Sequence, residues 1–147
     1  MRLVIQRVLN AKVEVDNKIV GQINQGFLVL LGVGPQDNEE IADFLAQKLC
    51  NLRVFRDEND KMNLSVKDID GEILVVSQFT LYANCTKGNR PSFDEAAKPE
   101  LANYLYEYFM KKCKEHVRNV EHGEFGAHMN VSLLNDGPVT ILLEKNA

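Results

Sequence analysis

Residues 27–33, Phe-Leu-Val-Leu-Leu-Gly-Val, form a near-continuous apolar run that Gly34-Pro35 closes. An alternating strand can leave one face in water, but a run apolar at nearly every position reads as a strand covered on both faces. The segments before it supply partners. Leu3, Ile5 and Arg7 alternate with Val4, Gln6 and Val8, and Ala11, Val13 and Val15 alternate with Lys12 and Glu14. After a turn at Asp16-Asn17, Lys18 to Ile23 reads as the return strand of a hairpin, with Gly21 placed to bulge.

Helical signals follow. Asp37-Asn38-Glu39-Glu40 offers capping side chains and first-turn acids, and Ile41, Phe44, Leu45, Lys48 and Leu49 share one helical face. Leu52, Val54 and Phe55 suggest a short strand, and Glu72 to Gln78 a strand opened by Asp70-Gly71. Pro99 suits the first turn of a second helix that reaches Lys114. Its stripe of Leu101, Tyr104, Leu105, Tyr108 and Phe109 reads as core rather than ligand platform. Val117–Glu121, Met129–Leu134 and Val139–Glu144 read as strands, the last two joined by a hairpin-type turn at Asn135-Asp136-Gly137. The order predicts an α+β fold: barrel-like sheet strands packed with two main helices, in one domain spanning residues 1–147.

Composition narrows the setting. The longest apolar run, Phe27–Leu31, is far too short to cross a bilayer, and the first residues lack a signal-peptide core. Cys50, Cys85 and Cys113 are scattered and form no CxxC pair, which fits a reducing cytoplasm, with Cys85 the more exposed. A net charge of −4 does not announce a nucleic-acid binder. Lys87 with Arg90, and Lys111, Lys112, Lys114 and Arg118, form local basic clusters that charge alone assigns to solvated faces.

Two polar clusters interrupt the apolar strands. The first is Ser77-Gln78-Phe79-Thr80-Leu81. Extended, it would project Gln78 and Thr80 to one face and Ser77 and Phe79 to the other. A hydroxyl, an amide and free backbone N–H groups can hold a carbonyl, although a strand end that satisfies its own backbone explains them too. The second is Gly137-Pro138-Val139-Thr140. Proline statistics favour a plain trans turn, while a cis bond would aim both flanking carbonyls one way. His122 and His128, beside Glu121 and Glu124, match no standard zinc spacing. No serine lies in a GxSxG elbow, and no Gly-rich phosphate loop is present.

Taken together, several segments resemble the D-aminoacyl-tRNA deacylases of the widespread bacterial and eukaryotic type. They are Gln6-Arg7-Val8, Ser77 to Ala83, Lys87 to Phe93, Gly123 to Met129, and Asn135 to Thr140. The resemblance covers essentially the whole chain. It implies hydrolysis of the ester joining a D-amino acid, or glycine, to tRNA, by a metal-free and cofactor-free homodimer with each pocket at the subunit interface. It implies that Ser77, Gln78, Phe79 and Thr80 line one subunit's pocket, with Gln78 and Thr80 catalytic. Gly137-Pro138, with a cis bond, would reach into the other's pocket and exclude L side chains. Arg7 would hold that loop, and Phe125 and Met129 would seat the terminal adenosine. Thr80 as nucleophile and backbone N–H groups around Phe79 and Thr80 as an oxyanion site both stay open. His128 stands where many relatives carry a small or acidic residue, and Asn84-Cys85-Thr86 is not diagnostic. A non-catalytic RNA- or nucleotide-binding module of the same fold and a hydrolase of small esters are the rival expectations.

Overall fold

A computed structural model describes residues 1–147. Strand β1 (Arg2–Val15) turns at Asp16 and Asn17, both at positive φ, into β2 (Lys18–Ile23), and β3 (Gly26–Gly32) follows. Two consecutive left-handed residues give the tight turn whose twist matches a hairpin, and Asp and Asn tolerate that region best after glycine. β2 carries one extra residue opposite the Val13/Glu14 step, so the expected bulge lies at Val20-Gly21.

Helix α1 (Glu39–Asn51) and the small hairpin of β4 (Phe55–Arg56) and β5 (Met62–Leu64) lead to β6 (Glu72–Ser77), parallel to β3. Helix α2 (Pro99–Cys113) leads to β7 (Val120–His122), parallel to β6, and β8 (Asn130–Glu144) returns antiparallel along β1. Asn38 caps α1 by accepting from the Ile41 N–H at 3.0 Å. Both helices cover one face of the sheet. Leu3, Ile5, Phe27, Val29 and Leu31 pack there against Leu45, Leu49, Leu105 and Phe109.

The opposite face holds a second, smaller core of Val8, Ala11, Val13, Ile23, Leu28, Leu74 and Val76. β1 bends so that β2 comes back against β7, and the sheet nearly closes. Gly21 permits this approach: a Cβ there would stand 2.3 Å from the His122 carbonyl oxygen. The run 27–33 thus lies between two cores, as its unbroken apolarity requires.

Three readings of the sequence need correction. Residues 130–144 form one strand rather than two joined by a hairpin. β8 takes five residue steps (140 to 135) while β1 takes two (6 to 8), so Asn135-Asp136-Gly137-Pro138 is a wide bulge on a continuous strand. Phe44 is exposed, because the buried face of α1 runs through Ile41, Ala42, Leu45, Ala46, Leu49 and Cys50. The buried stripe of α2 is centred on Leu105, Tyr106, Phe109 and Cys113 rather than on Tyr104 and Tyr108. Those two tyrosines reach across to α1 instead, donating to Glu39 and, at 2.9 Å, to Asp43.

Two tyrosines make stability sensitive to alkali. Burial pushes the Tyr82 hydroxyl well above the usual range, helped by the Asp37 carboxylate, and burial does the same for Tyr106. Both groups are neutral when protonated. As pH rises, the unfolded chain therefore releases these protons first, near pH ~10, while the folded chain keeps them. Their contribution is intact below that point and shrinks progressively above it. Urea midpoints at pH 8, 9, 10 and 11 should fall through the last two steps, less steeply for Tyr82→Phe. An identical slope for that variant would remove Tyr82 from the account.

Candidate active site

β3 and β6 are parallel and finish at the same end of the sheet, the end where ligands gather in parallel sheets. The Gln78 N–H donates to the Leu31 carbonyl at 2.8 Å, and beyond it the chain coils into a 3₁₀ turn, Phe79–Tyr82. The turn sits tightly over β3 because residue 32 is glycine. A Cβ there would stand 3.0 Å from Leu81 Cβ and 3.1 Å from the Gln78 carbonyl oxygen. Arg2 ties the turn down: Nη1 donates to the Leu81 carbonyl at 2.8 Å, and the guanidinium lies 4.3 Å from the Tyr82 ring centroid.

The expectation of an extended Gln78-Phe79-Thr80 is therefore corrected, since β3 ends at Gly32 and offers no further rungs. Gln78 and Thr80 still meet, because Gln78 Nε2 donates to Thr80 Oγ1 at 2.5 Å. As the first donors of the 3₁₀ turn, the Phe79 and Thr80 N–H groups have no acceptor within it.

Beside the turn lies a cleft of about 550 Å³. Val33, Val76, Ser77, Gln78 and Phe79 form one side, Phe125, Ala127, His128, Met129 and Val131 another, and Phe93, Ala96, Ala97, Pro99 and Ala102 close it. Phe79 and Phe93 meet edge to face with centroids 5.1 Å apart, and Phe125 packs on Tyr106 at 6.0 Å. No lysine, arginine, aspartate or glutamate lines the cleft, and His128 is its single imidazole. His122 faces away from this role, its Nδ1 lying 2.6 Å from the Gly123 carbonyl oxygen.

The second polar cluster lies at the β8 bulge, where the Gly137–Pro138 peptide bond is cis. Arg7, 2 % exposed, reaches it from β1. Its Nε donates to the Asp136 carbonyl at 3.2 Å and lies 3.2 Å from Asp136 Oδ2, while Nη1 donates to the Val54 carbonyl at 2.6 Å. Asn135 closes the base of the bulge by donating through Nδ2 to the Arg7 and Val139 carbonyls, at 2.9 and 3.1 Å. The buried guanidinium thus ties one corner of β8 to one loop carbonyl through Nε and Nη1.

Ser77, Gln78, Phe79, Phe125 and Met129, the residues read from sequence as pocket-forming, converge on one cleft. Thr80 touches Gln78 but is not among the cleft's lining residues, and neither are Gly137, Pro138 and Arg7 of the same chain. Sequence reasoning did not assign Phe93 or the small residues Ala96, Ala97 and Ala102. Phe93 carried a signal: an aromatic residue ending an otherwise polar loop.

The protein is thus a nearly closed α+β sheet with an uncharged cleft at its parallel strand ends, edged by a polar 3₁₀ turn. A family model described as D-Tyr-tRNA(Tyr) deacylase matches residues 4–144, and the chain belongs to that family. A D-aminoacyl-tRNA deacylase of Thermosipho africanus (strain TCF52B) is 63% identical over 144 residues, covering 98% of this chain and 97% of that protein. One from Clostridioides difficile (strain 630) is 60% identical over 146 residues, covering 99% and 98%. Among solved structures, the c-Myc DNA Unwinding Element Binding Protein has a TM-score of 0.94 at 42% identity, with both chains covered in full. A probable eukaryotic D-amino acid tRNA deacylase has a TM-score of 0.83 at 17% identity over 97% of each chain, which shows a shared fold. No helix is long and apolar enough to cross a membrane.

Proposed function

We propose that this protein hydrolyses the ester joining a D-amino acid, or glycine, to the 3′-terminal ribose of tRNA, releasing the free amino acid and the tRNA. One observation carries the mechanism: the cleft beside Gln78 and Phe79 has the first N–H donors of the 3₁₀ turn at its edge and no carboxylate or cationic side chain in its lining. Water adds to the ester carbonyl, the Phe79 and Thr80 N–H groups take the developing oxyanion, and Gln78 orients the ester. The C–O bond to the ribose then breaks and the departing oxygen takes up a proton. With no acidic side chain lining the cleft, the 2′-hydroxyl of the same ribose is the group best placed to assist the attacking water. Phe125 and Met129 seat the terminal adenosine on the opposite wall.

Selection against L-amino acids is assigned to the Gly137–Pro138 corner of a second copy of the chain, which presents backbone where an L side chain would need room. Glycine, with no side chain, passes. The homodimer rests on β8. Its outer edge is unpaired, and Leu133, Leu134 and Leu142 on that strand are exposed, the last 73%, apolar surface that a second copy would cover. Arg7 acts as a positioning residue for the corner.

Purified protein offered D-Tyr-tRNA and L-Tyr-tRNA in parallel should deacylate the first and spare the second. Equal rates on the two would remove the chiral reading, and binding without turnover would favour a non-catalytic RNA-binding module. Thr80→Ala should stay within about tenfold of wild type, less than the 10²–10³ typical of losing an oxyanion donor, since the backbone N–H remains. Loss of all activity by a folded, tRNA-binding variant would instead make Thr80 the nucleophile.

A further inference from the structure

The cleft receives an aminoacyl ester, yet a tRNA 3′ end brings phosphodiesters with it, and the cleft holds no cation to meet them. The polar segment 84–92 is the part of the molecule that neither the core nor the cleft uses. It is a built loop. Asn84 and Ser92 exchange two backbone hydrogen bonds of 2.7 and 2.9 Å, closing its base. Asn84 Oδ1 accepts from the Thr86 N–H at 3.0 Å and its hydroxyl at 2.7 Å, and Gly88 turns the tip at φ +66°.

The loop opens directly onto the site. Its upstream limb leaves the 3₁₀ turn at Ala83, and its downstream limb runs into Phe93, which lines the cleft and packs on Phe79. Between residues 84 and 92 the chain carries Lys87 and Arg90 and no acid, within a protein of net charge −4. Both side chains are exposed, and neither forms an ion pair. Two unpaired cations on an ordered loop whose two ends join the 3₁₀ turn and the cleft wall contribute little to folding. They suit a polyanion that enters the cleft by its end.

Building on the deacylase reading, we infer that the 84–92 loop is a phosphate clamp for the single-stranded 3′ end of tRNA. Lys87 and Arg90 hold the phosphodiesters just upstream of the terminal nucleotide. Arg90 suits a forked contact to two phosphate oxygens and Lys87 a point contact. The Phe79–Phe93 contact couples the clamp to the turn that binds the ester, so a seated backbone and a seated carbonyl are reached together.

The test compares kcat/KM of wild type, Lys87→Ala, Arg90→Ala and the double variant on two substrates: D-Tyr-tRNA across a salt series, and the D-tyrosyl ester of adenosine, which has no phosphate. Each single change should raise KM for tRNA about tenfold, the low end for a charge-assisted hydrogen bond, with kcat held. The slope of log kcat/KM against log salt should flatten by about 0.7 for each phosphate-binding side chain removed, and by about 1.4 in the double variant. The loss on tRNA should exceed the loss on the adenosine ester by at least tenfold. Salt slopes parallel to wild type, or equal losses on both substrates, would overturn the clamp alone. A wild-type protein inactive on both substrates would overturn the deacylase reading and the clamp with it.

Discussion

Arg7→Ala is expected to fold, to lose stability, and to lose most of its discrimination between D- and L-aminoacyl-tRNA. The guanidinium joins β1, the Val54 carbonyl and the Asp136 corner of β8 while almost wholly buried. Truncation leaves Val54 without its donor and Asp136 without its ion partner. Breaking a buried pair costs about 3–5 kcal/mol, and the lower end applies because Asp136 is about a third exposed. For a chain of this size that is roughly a 6–12 °C drop in Tm.

The functional loss is of similar size. Gly137 has φ +130°, and a Cβ there would stand 3.0 Å from Arg7 Nη2, so the corner and the guanidinium are packed against each other. Without that backing the corner is free to shift, and a misplacement of about 1 Å can cost 10²-fold. The ratio of D-Tyr-tRNA to L-Tyr-tRNA hydrolysis should fall about 10²-fold, measured where both proteins are folded. Arg7→Lys should not restore it, because one ammonium cannot serve carbonyls that lie in diverging directions. A folded Arg7→Ala protein with the wild-type ratio would detach Arg7 from selectivity altogether.

Both clusters that the prediction joins were visible as residue types before any geometry, but their shapes were not. Asn135-Asp136-Gly137 has the composition of a hairpin turn, and local chemistry alone cannot tell a turn from a bulge. The decision belongs to β1, whose fourteen residues offer one continuous edge, so β8 stays paired on both sides of the irregularity. Gln78 and Thr80 were legible as a pair, yet the coil that brings them together is dictated by the end of β3 at Gly32, a neighbour distant in sequence. Tyr104 and Tyr108 misled for a related reason. Helical period places them beside the buried stripe, and the acids on α1 that receive their hydroxyls lie 65 residues away in the chain. By contrast, the Asp16-Asn17 hairpin, the Asn38 cap and the doubly covered run 27–33 are local decisions, and those were readable.

The second large effect is expected far from the 3₁₀ turn in sequence and beside it in space. The amino group of Met1 is buried and pairs with Asp37 Oδ1 at 2.7 Å, while Oδ2 accepts from the Gly34 N–H at 2.6 Å. Asp37 is thus the sole carboxylate holding a buried ammonium, and it also closes the turn that ends β3. That turn reaches the site by two routes. A Cβ on Gly34 would stand 3.1 Å from the Tyr82 ring, and the Val33 carbonyl accepts from the N–H of Ala97, which lines the cleft. Asp37→Ala leaves the buried ammonium with the Lys145 carbonyl at 2.9 Å but no counter-charge, and takes the acceptor from the Gly34 N–H, so it should cost about 3–5 kcal/mol, a Tm lower by roughly 6–20 °C. Asp37→Asn keeps one acceptor without the charge and should fall between the two proteins. Because the damage is to the support of the 3₁₀ turn and not to its donors, kcat on D-Tyr-tRNA well below the new Tm should stay within a few-fold of wild type. Urea and thermal midpoints for Asp37→Ala equal to wild type would mean that the terminal ion pair holds nothing in place, and that the turn is secured by Arg2 and Gly32 alone.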